Sequence, residues 1–346
     1  MTGPRLAELT TLRVGGAPLR YLAPATEAEL VAAASTMLED PEPHLVLAGG
    51  SNVVASDDGF PGTVLHVVTR GIERIDSADG LVHLRVQAGE PWDGLVADAV
   101  ANGWSGIEAL SGIPGSVGAT PVQNVGAYGV EVASVLVGVD VVAPGAASAR
   151  RLPASELGLA YRSSIFKRGF EGVIVAVEFA LTPSLVGSVA YDQLAAVLGT
   201  DVGHAAPIAE IREQVLALRR SKGMLLDPAD HDSWGVGSFF TNPIVSESLA
   251  RTLPEDAPRW PVAPSEQPDD GPVLVKLSAA WLIEHVGIRR GFALAGSRAG
   301  ISSKHTLAIT NRGGATAAEV MQLAVFVQSR VAADFGVLLA PEPVIV

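Results

Sequence analysis

Residues 111–129 read SGIPGSVGATPVQNVGAYG, and this stretch decides how the rest of the chain is interpreted. Its glycines and prolines recur too irregularly for a helix or a strand, so we predict a loop. Backbone amides of glycine-rich turns can converge on an anion because no Cβ blocks the approach. A second glycine loop, GGSN at residues 49–52, has the same character. Both loops suit phosphate binding or, equally, ordinary turns in a chain with 37 glycines.

Neither loop matches the two common nucleotide-binding fingerprints. No G-x-G-x-x-G lies between a predicted strand and a helix, which excludes the Rossmann signature. No Gly-Lys-Ser/Thr follows either loop, which excludes a Walker A motif. Spacing alone therefore leaves nucleotide binding and simple turns both open.

Composition narrows the class of protein. The chain has 346 residues, of which 48% are hydrophobic and 18% charged, enough apolar material for two or three lobes. A formal net charge of −13 argues against a basic nucleic-acid binder, because affinity for phosphate backbones comes from clustered Lys and Arg. The absence of cysteine excludes disulfide scaffolds, iron–sulfur clusters and thiolate zinc sites. With no signal-like N-terminus and no apolar run near about 20 residues, we expect a cytoplasmic protein that spans no membrane.

The pattern along the chain alternates short strands with capped helices, which predicts an α+β fold. Thr26 with Glu29, and Thr316 with Glu319, form capping boxes that begin two of the helices. Strands are predicted at apolar or alternating runs, namely residues 45–47, 63–68, 82–88, 135–141 and 172–181. The other helices are predicted from Pro91 to Gly103, over residues 208–218 and over residues 279–286.

Two polar segments are predicted to be surface loops. Residues 251–271 are rich in proline and acidic residues. Asp227, Asp230, His231 and Asp232 lie in the other segment and suggest a metal site. An acidic surface loop is the commoner explanation of such a group, so no metal is predicted.

Taken whole, the 111–129 stretch closely resembles a signature of the UDP-N-acetylenolpyruvoylglucosamine reductase (MurB) family. Three further motifs resemble that family in the same order: AYRSSIFK at residues 160–167, GSFFTNP at residues 237–243, and Pro341-Glu342. The resemblance extends from about Thr11 to about Val344. It implies non-covalently bound FAD in a domain of the vanillyl-alcohol-oxidase (PCMH) type, followed by a C-terminal α+β domain that binds substrate.

The expected domains are an FAD-binding domain at residues 1–206 and a substrate-binding domain at residues 207–346. The last strand is expected to return toward the FAD domain. The resemblance implies that the two glycine loops hold the flavin pyrophosphate. The cofactor-binding residues it implies are Gly49, Gly50, Ser51, Asn52, Ser111, Gly112, Ile113, Pro114, Gly115, Ser116, Val117, Gly118, Ala119, Gln123 and Asn124.

The resemblance implies a two-part reduction in peptidoglycan precursor synthesis. NADPH gives a hydride to N5 of the flavin, and the flavin then gives a hydride to C3 of UDP-N-acetylglucosamine enolpyruvate, which yields UDP-N-acetylmuramate. By match to the family motifs, Arg162 and Glu342 polarise the enolpyruvyl carboxylate, and Ser238 protonates C2. Arginine suits this task because its guanidinium is permanently charged and forms a rigid fork that fits a carboxylate.

The residues also indicate where a nucleotide sugar binds. Arg219 and Lys222, with Arg220 between them, make the clearest basic cluster in an acidic chain. Such a cluster suits a pyrophosphate or, alternatively, complements the dipole at a helix C-terminus. The resemblance implies that Tyr191 lies on the mobile loop of the family's tyrosine-loop subtype. It further implies substrate contacts from residues at matching positions, namely Tyr128, Asn242 and His305.

Two other functions stay open beside this one. A flavin-dependent oxidase or dehydrogenase of a sugar or alcohol would share the FAD domain but would not need the basic cluster. A non-catalytic sensor of flavin or nucleotide sugar would keep the glycine loops without the proton donor. We expect a monomer that uses the UDP-sugar and NADPH and has no nucleic-acid or membrane partner.

Overall fold

The structure, a computed structural model, describes residues 3–262, 267–268 and 271–346. The helices of this part of the chain are α1 (Leu6–Leu9), α2 (Glu27–Glu39), α3 (Trp92–Ala101), α4 (Asp192–Leu198), α5 (Ile208–Ser221), α6 (Glu247–Ala250), α7 (Ala279–His285) and α8 (Ala317–Phe335). Short 3₁₀ turns span Glu108–Leu110, Val117–Ala119, Val132–Ser134, Ala154–Glu156 and His231–Ser233.

The strands are short and numerous. They are β1 (Pro18–Leu22), β2 (His44–Leu47), β3 (Val53–Val54), β4 (Phe60–His66), β5 (Ile72–Ile75), β6 (Val82–Gln87), β7 (Trp104–Ser105), β8 (Gly126–Ala127), β9 (Val130–Glu131), β10 (Leu136–Val142), β11 (Arg150–Pro153), β12 (Val173–Pro183), β13 (Val186–Ser188), β14 (Ala205–Pro207), β15 (Ile244–Ser246), β16 (Arg259–Pro261), β17 (Leu274–Leu277), β18 (Ala299–Ile301), β19 (Ile309–Asn311) and β20 (Val344–Ile345). This mixture of helices and antiparallel sheets confirms the α+β prediction.

The chain forms two compact units, and each takes residues from separate parts of the sequence. The first unit contains residues 3–4, 17–50 and 60–225. The second contains residues 5–16, 51–59 and the described part of 226–346. The division expected between residues 206 and 207 stays a prediction. The last strand, β20, pairs in parallel with β3, and both strands belong to the second unit.

Two sheets in the first unit pack against helix α2. A parallel sheet has the order β1-β4-β2, and an antiparallel sheet has the order β11-β10-β12-β6-β5, with β7 paired to the end of β12. Helix α2 contacts strands of both sheets through its buried face. It begins at the predicted capping box, since Thr26 accepts from the Glu29 amide and Glu29 reaches back.

Strand β10 departs from the strict alternation that its valines predict. Gly138 and Val139 are both buried, as are Val141 and Val142. The register against β12 shifts at these two places, which marks bulges where the side-chain period of two is lost. The prediction of a strand is confirmed. The prediction that buried and exposed residues alternate along it is wrong, because both faces of the strand are covered.

Helices α3 and α5 confirm their predictions and carry residues that the site needs. Helix α3 begins after Pro91 and ends before Gly103. Helix α5 buries Ile208, Ile211 and Val215 as its apolar spacing predicts. The same face continues to Arg219, so a cation completes an otherwise apolar stripe.

The second unit packs α7 and α8 with the hairpin β18-β19, beside the antiparallel sheet β15-β17-β16. Its core also includes Leu12, Val14 and Val54 from the N-terminal part of the sequence. Helix α8 begins at the predicted box of Thr316 and Glu319. Among the described residues, no helix combines the length and apolar composition needed to cross a bilayer.

The predicted loop over residues 251–271 is only partly described. It contains the short strand β16, which pairs with β17. Residues 263–266 and 269–270 of that prediction lie outside the described residues.

Candidate functional site

Gly49 and Gly115 bring the two glycine loops into contact within the first unit. Gly49 follows β2, and a Cβ on it would lie 2.7 Å from the Cα of Gly115. Gly115 itself has a φ of 119°, a conformation that L side chains rarely adopt. These two backbones therefore approach each other only because both positions are glycine.

Part of the 111–119 loop already donates to protein acceptors. Gly112 N donates to Asp93 Oδ1 at 2.6 Å, and the amides of Val117 and Gly118 donate to backbone carbonyls. For three other amides of the loop the structure records no acceptor among the described residues, namely those of Ile113, Gly115 and Ser116. The buried Ser116 Oγ also has no partner within the described part of the chain.

This donor set fits the pyrophosphate of FAD. Amides in a glycine-rich turn together with a buried hydroxyl are the donors that an anion needs. Without a bound anion, the buried hydroxyl has no hydrogen-bond partner among the described residues, which costs folding free energy. Gly112 contributes backbone shape, since its amide is held by Asp93. The other predicted cofactor residues of this stretch lie on the same loop or in the 3₁₀ turn at its end, namely Ser111, Pro114, Val117, Gly118 and Ala119.

The GGSN loop continues into the second unit. Gly50 is buried, and the next two residues, Ser51 and Asn52, are half-buried members of the second unit. Asn52 Nδ2 donates to the backbone oxygen of Glu342 at 3.3 Å. A predicted cofactor residue therefore contacts a predicted catalytic residue.

Asn124 joins three separate places in the first unit. Its Nδ2 donates to Glu131 Oε2 at 2.6 Å and to the Ala160 carbonyl at 3.2 Å, and its Oδ1 accepts from Ala133 N at 3.1 Å. The residue is 1% exposed, and its φ is 46°. Gln123, predicted beside it as a cofactor residue, is half-buried.

The hairpin of β8 and β9 presents Tyr128 to the predicted substrate residues. Tyr128 and Gly129 form its two-residue turn and have φ values of 49° and 79°, as a type I′ turn requires. Gly129 packs against Ala190, where a Cβ would lie 2.5 Å from the carbonyl oxygen. The rings of Tyr128 and Tyr191 meet edge to face with centroids 5.8 Å apart.

Arg162 occupies a strained turn. Ala160 and Ser163 exchange backbone hydrogen bonds of 3.2 and 3.1 Å, which places Arg162 at the second central position with a φ of 51°. Its guanidinium donates from NH2 to the Gly126 carbonyl at 3.0 Å. A left-handed backbone outside glycine costs about 1–3 kcal/mol, and such strain concentrates at functional sites. In the described residues, left-handed non-glycine backbones occur at Arg13, Asn124, Tyr128 and Arg162, and three of these four are predicted site residues.

Arg219 is a buried cation at the end of α5. Its NH2 donates to the Met224 carbonyl at 2.8 Å, while its buried Nε has no partner among the described residues. Burial lowers the pKa of Arg219, an effect that Tyr128 and Asp93 partly offset. A buried guanidinium with an unused N–H suits an anionic ligand.

Asp93 links this helix to the 111–119 loop. Arg212 donates to both Asp93 oxygens at 2.6 and 3.0 Å, and Gly112 N donates to one of them. Burial alone would raise the pKa of Asp93, but the bonds from Arg212 and Gly112 and the charge of Arg219 outweigh it and lower that pKa. The charged carboxylate therefore ties α5 to the 111–119 loop.

Lys222 completes the basic group of α5. Its Nζ donates to Gln193 Oε1 at 2.6 Å and lies 5.8 Å from the centroid of the Tyr128 ring. Burial and, next, the charge of Arg219 lower the pKa of Lys222. Burial also raises the pKa of Tyr128. The structure thus brings together four predicted substrate residues, namely Tyr128, Tyr191, Arg219 and Lys222.

Ser238 and Glu342 lie on paired segments of the second unit. Glu342 N donates to the Phe239 carbonyl at 2.9 Å, and Phe240 bridges Pro341 in antiparallel fashion. Phe239 and Phe240 are buried, so they anchor the segment on which half-buried Ser238 sits. Two of the three predicted catalytic residues are therefore neighbours, while Arg162 belongs to the first unit.

The remaining predicted substrate residues, Asn242 and His305, also belong to the second unit. Asn242 Oδ1 accepts from the Ala279 amide at 3.0 Å, at the start of α7. His305 is half-buried, and its amide donates to Ser302 Oγ at 3.3 Å. The side chain of Asn242 is thus held by the start of α7 and the backbone of His305 by Ser302, and their contacts with substrate stay predictions.

The acidic loop before Ser238 holds the turn that carries His305. Asp232 accepts from Ser303 N at 2.7 Å and from Ser303 Oγ at 2.5 Å, and Asp230 accepts from Lys304 Nζ at 2.6 Å. Within the described residues, no group of three or more His, Cys, Asp or Glu side chains is arranged to hold a metal ion. The carboxylates that suggested a metal site accept hydrogen bonds from protein donors instead.

Several residues that hold the site in place lie outside every recognised motif, namely Asp93, Arg212, Glu131 and, in this role, Asp232. Asp93, Arg212 and Asp232 act through partners distant in the sequence, whereas Glu131 acts through nearby Asn124. Asp93 is the one of these residues with a local signal, because an acidic residue stands in the first turn of α3. The helix dipole already explains an acidic residue at that position, so the signal does not indicate a role in the site.

Comparisons with known proteins match both parts of the chain. Residues 18–147 match the family described as FAD binding domain. Residues 227–346 match the family described as UDP-N-acetylenolpyruvoylglucosamine reductase, C-terminal domain. The order of the two matches agrees with the order that the motifs predict.

Several relatives are similar over their whole length. A protein of Leifsonia xyli subsp. xyli named UDP-N-acetylenolpyruvoylglucosamine reductase is 55% identical, with 99% of this chain and 98% of the relative covered. One of the same name from Saccharopolyspora erythraea is 48% identical, with 99% and 95% covered. The crystal structure of UDP-N-acetylenolpyruvylglucosamine reductase (MurB) from Thermus caldophilus superposes with a TM-score of 0.64 at 26% identity, covering 99% of this chain and 97% of that one.

Proposed function

The chain belongs to the UDP-N-acetylenolpyruvoylglucosamine reductase family, and from this membership we infer that it is an FAD-dependent reductase of UDP-N-acetylglucosamine enolpyruvate with NADPH as hydride donor. The observation that carries the proposal is the glycine cradle. Gly49 touches Gly115 and leaves the amides around Ser116 directed to no protein acceptor among the described residues. A cradle of this kind suits the pyrophosphate of a dinucleotide cofactor, because these amides and the buried hydroxyl can donate to an anion.

The cradle residues are the proposed holders of the cofactor. Ile113, Gly115 and Ser116 would donate to its pyrophosphate, with Gly49 and Gly50 shaping the facing loop. When bound, FAD supplies the hydride-transfer centre that accepts a hydride from NADPH and delivers one to C3 of the substrate.

Nucleotide-sugar binding is assigned to the cluster at the end of α5. Lys222 and the buried Arg219 provide positive charge for the UDP pyrophosphate, and the edge-to-face tyrosines 128 and 191 provide aromatic surface. Asn242 and His305 are the proposed contacts from the second unit. A monomer in the cytoplasm, with no nucleic-acid or membrane partner, completes the proposal, because NADPH and nucleotide sugars are cytoplasmic metabolites.

Arg162, Ser238 and Glu342 are the proposed catalytic residues. Arg162 would hold the enolpyruvyl carboxylate with its guanidinium, which keeps the three-carbon unit oriented as C3 gains a hydride. The electron pair of the double bond then moves to C2, beside that carboxylate. The Ser238 hydroxyl would give its proton to C2, which completes the saturated lactyl ether. Glu342, beside the Ser238 segment, would polarise the same carboxylate together with Arg162 through a protonated carboxyl that donates a hydrogen bond, because an ionised one would repel the substrate.

Anaerobic stopped flow of the FAD-loaded protein tests this assignment. Wild-type protein mixed with NADPH should lose its flavin absorbance, and enolpyruvyl substrate should restore it. Ser238→Ala should react with NADPH at the wild-type rate but respond to substrate more slowly by about 10²–10⁴, the usual contribution of a general acid. Equal slowing of both halves would make Ser238 structural, and wild-type protein inert to the substrate would contradict the proposed function.

A further inference from the structure

The side chain of Asn124 is fully engaged with the protein. Glu131 Oε2 and the Ala160 carbonyl can only accept, while the Ala133 amide can only donate, so the orientation of the Asn124 amide is fixed by its partners. An asparagine amide has two N–H donors, and both are used here. No N–H of this side chain is left to donate to a flavin, which was its predicted role.

One of those bonds reaches the turn that carries Arg162. Ala160 exchanges two backbone hydrogen bonds with Ser163, and its carbonyl also accepts from Asn124 Nδ2 at 3.2 Å. A left-handed residue such as Arg162 persists only where the surroundings over-determine the backbone. Asn124 supplies one of those determinants from outside the turn.

A second route runs through the hairpin of β8 and β9. Asn124 Nδ2 donates to Glu131, and Glu131 is the register partner of Gly126. The Gly126 carbonyl in turn accepts from NH2 of Arg162 at 3.0 Å. Asn124 therefore fixes both the backbone of Arg162 and the carbonyl that holds its guanidinium.

The backbone of Asn124 links this arrangement to the flavin loop. The residue follows the 111–119 loop by only a few positions, and its φ of 46° is a conformation that asparagine tolerates better than most residues. Ser164, just after the Arg162 turn, donates to the Val122 carbonyl at 2.5 Å and ties the same two segments again.

We propose that Asn124 is a positioning residue that aims Arg162 at the substrate carboxylate, and that it does not bind FAD through its side chain. This proposal rests on the proposed function of Arg162. It assigns to one buried amide the control of carboxylate recognition, a role that neither the glycine loop nor the nucleotide-binding cluster performs.

The test compares three kinds of binding in Asn124→Asp, which tolerates the left-handed backbone but lacks both N–H donors. We expect the Kd for FAD, from flavin fluorescence of reconstituted protein, and the Kd for UDP to stay within about twofold of wild type. The kcat/KM for the enolpyruvyl substrate should fall about 10–100-fold, because Arg162 loses its orientation. If the affinity for FAD falls as much as kcat/KM does, Asn124 binds the flavin and the proposal is overturned.

Two further variants remove the effect of placing a second carboxylate beside Glu131. In Asn124→Asp combined with Glu131→Gln, the new glutamine amide can donate to the new carboxylate, so the Tm lost in Asn124→Asp alone should be recovered. The Ala160 carbonyl still lacks its donor, so kcat/KM should stay low. Asn124→Gly keeps the backbone conformation, removes the side chain and should show the same loss. Recovery of kcat/KM together with the Tm would overturn the route through the Ala160 carbonyl and assign the whole effect to the route through Glu131.

A double-mutant cycle with Arg162→Lys isolates the route of the effect. If Asn124 acts through Arg162, adding Asn124→Asp to Arg162→Lys should lower kcat/KM by no more than about twofold further. If the wild type is active and the losses in kcat/KM from the two substitutions are fully additive, this inference is contradicted while the proposed function stands. A wild type that binds FAD but does not reduce the enolpyruvyl substrate would contradict the proposed function, and this inference with it.

Discussion

Gly49 stands so close to Gly115 that a single added methyl group at Gly49 would lie 2.7 Å from the Gly115 Cα. The obstacle is backbone, which cannot rotate away as the end of a side chain would. The separation of the two glycine loops is thus fixed at one point.

Gly49→Ala should weaken FAD binding. The added Cβ forces the loops apart, and we expect the Kd for FAD to rise about tenfold or more, equivalent to about 1.4 kcal/mol. Flavin fluorescence titration measures it. Gly94→Ala is the matched control: it is exposed in α3, and its Cβ would come no nearer than 3.7 Å to Pro91. That change should leave FAD binding intact and stabilise the helix by up to about 1 kcal/mol.

Substrate capture should weaken at alkaline pH through Lys222. Burial and Arg219 lower the pKa of Lys222 below its ordinary 10.5, and the ammonium is charged only below its pKa. As pH rises, kcat/KM for the UDP-sugar should therefore fall earlier than an ordinary lysine would allow, since this ratio reports the free enzyme. Lys222→Arg should remove that alkaline decline, because arginine stays charged. A decline of the same midpoint in Lys222→Arg would assign it to another group.

The pH dependence of stability should contain a contribution from His83. Its Nδ1 and Nε2 lie 2.8 Å from Glu178 and Asp79, and these hydrogen bonds, that of Glu178 first, raise the pKa of His83 above its ordinary 6.5. A raised folded-state pKa gives stabilisation that is complete below the unfolded value and is lost as pH rises through the folded value. Urea unfolding should therefore show a larger penalty for His83→Gln at pH 5.5 than at pH 8.5.

The control for His83 is an exposed histidine. His204 is exposed and belongs to no ion pair among the described residues, so His204→Gln controls for the loss of a histidine as such. A pH-independent penalty for His83→Gln would show that its contribution is packing and not charge.

Asp232 should matter to substrate binding although it lies in a surface loop. It holds Ser303 through two hydrogen bonds and thereby the turn of His305. Asp232→Ala should raise KM for the UDP-sugar about tenfold, as expected when a binding group is misplaced by about 1 Å. Steady-state kinetics measure this, with FAD affinity as the unaffected quantity. Ser303→Ala keeps the backbone bond to Asp232, so its effect should be smaller, and a larger one would contradict this explanation.

Elements with local causes are the ones that the sequence predicts well. The capping boxes at Thr26 and Thr316 act within a few residues, and both helices begin where predicted. Sheet order has no local cause: β4 lies between β1 and β2, and β20 pairs with β3 from the opposite end of the chain. Nothing in either strand specifies its partner, so this part of the fold needs the structure.

The same distinction holds in the site. A motif identifies Arg162 as a candidate but cannot show that its backbone is left-handed or that Gly126 holds it. The sequence shows that Arg219 belongs to a basic cluster. Only the packing shows that this residue ends the buried face of α5. Asn124 lies inside the most recognisable stretch, yet no motif predicts that its side chain donates to Glu131 and to the Ala160 carbonyl.

The composition of the second unit constrains how the protein is made. Its core needs Leu12, Val14 and Val54 together with α7 and α8, which are translated much later. At about 5–20 residues per second, those early apolar side chains wait for tens of seconds without partners. Strand β3 likewise gains its partner β20 only when that distant segment has been made, so this unit closes only after both parts of the sequence have left the ribosome.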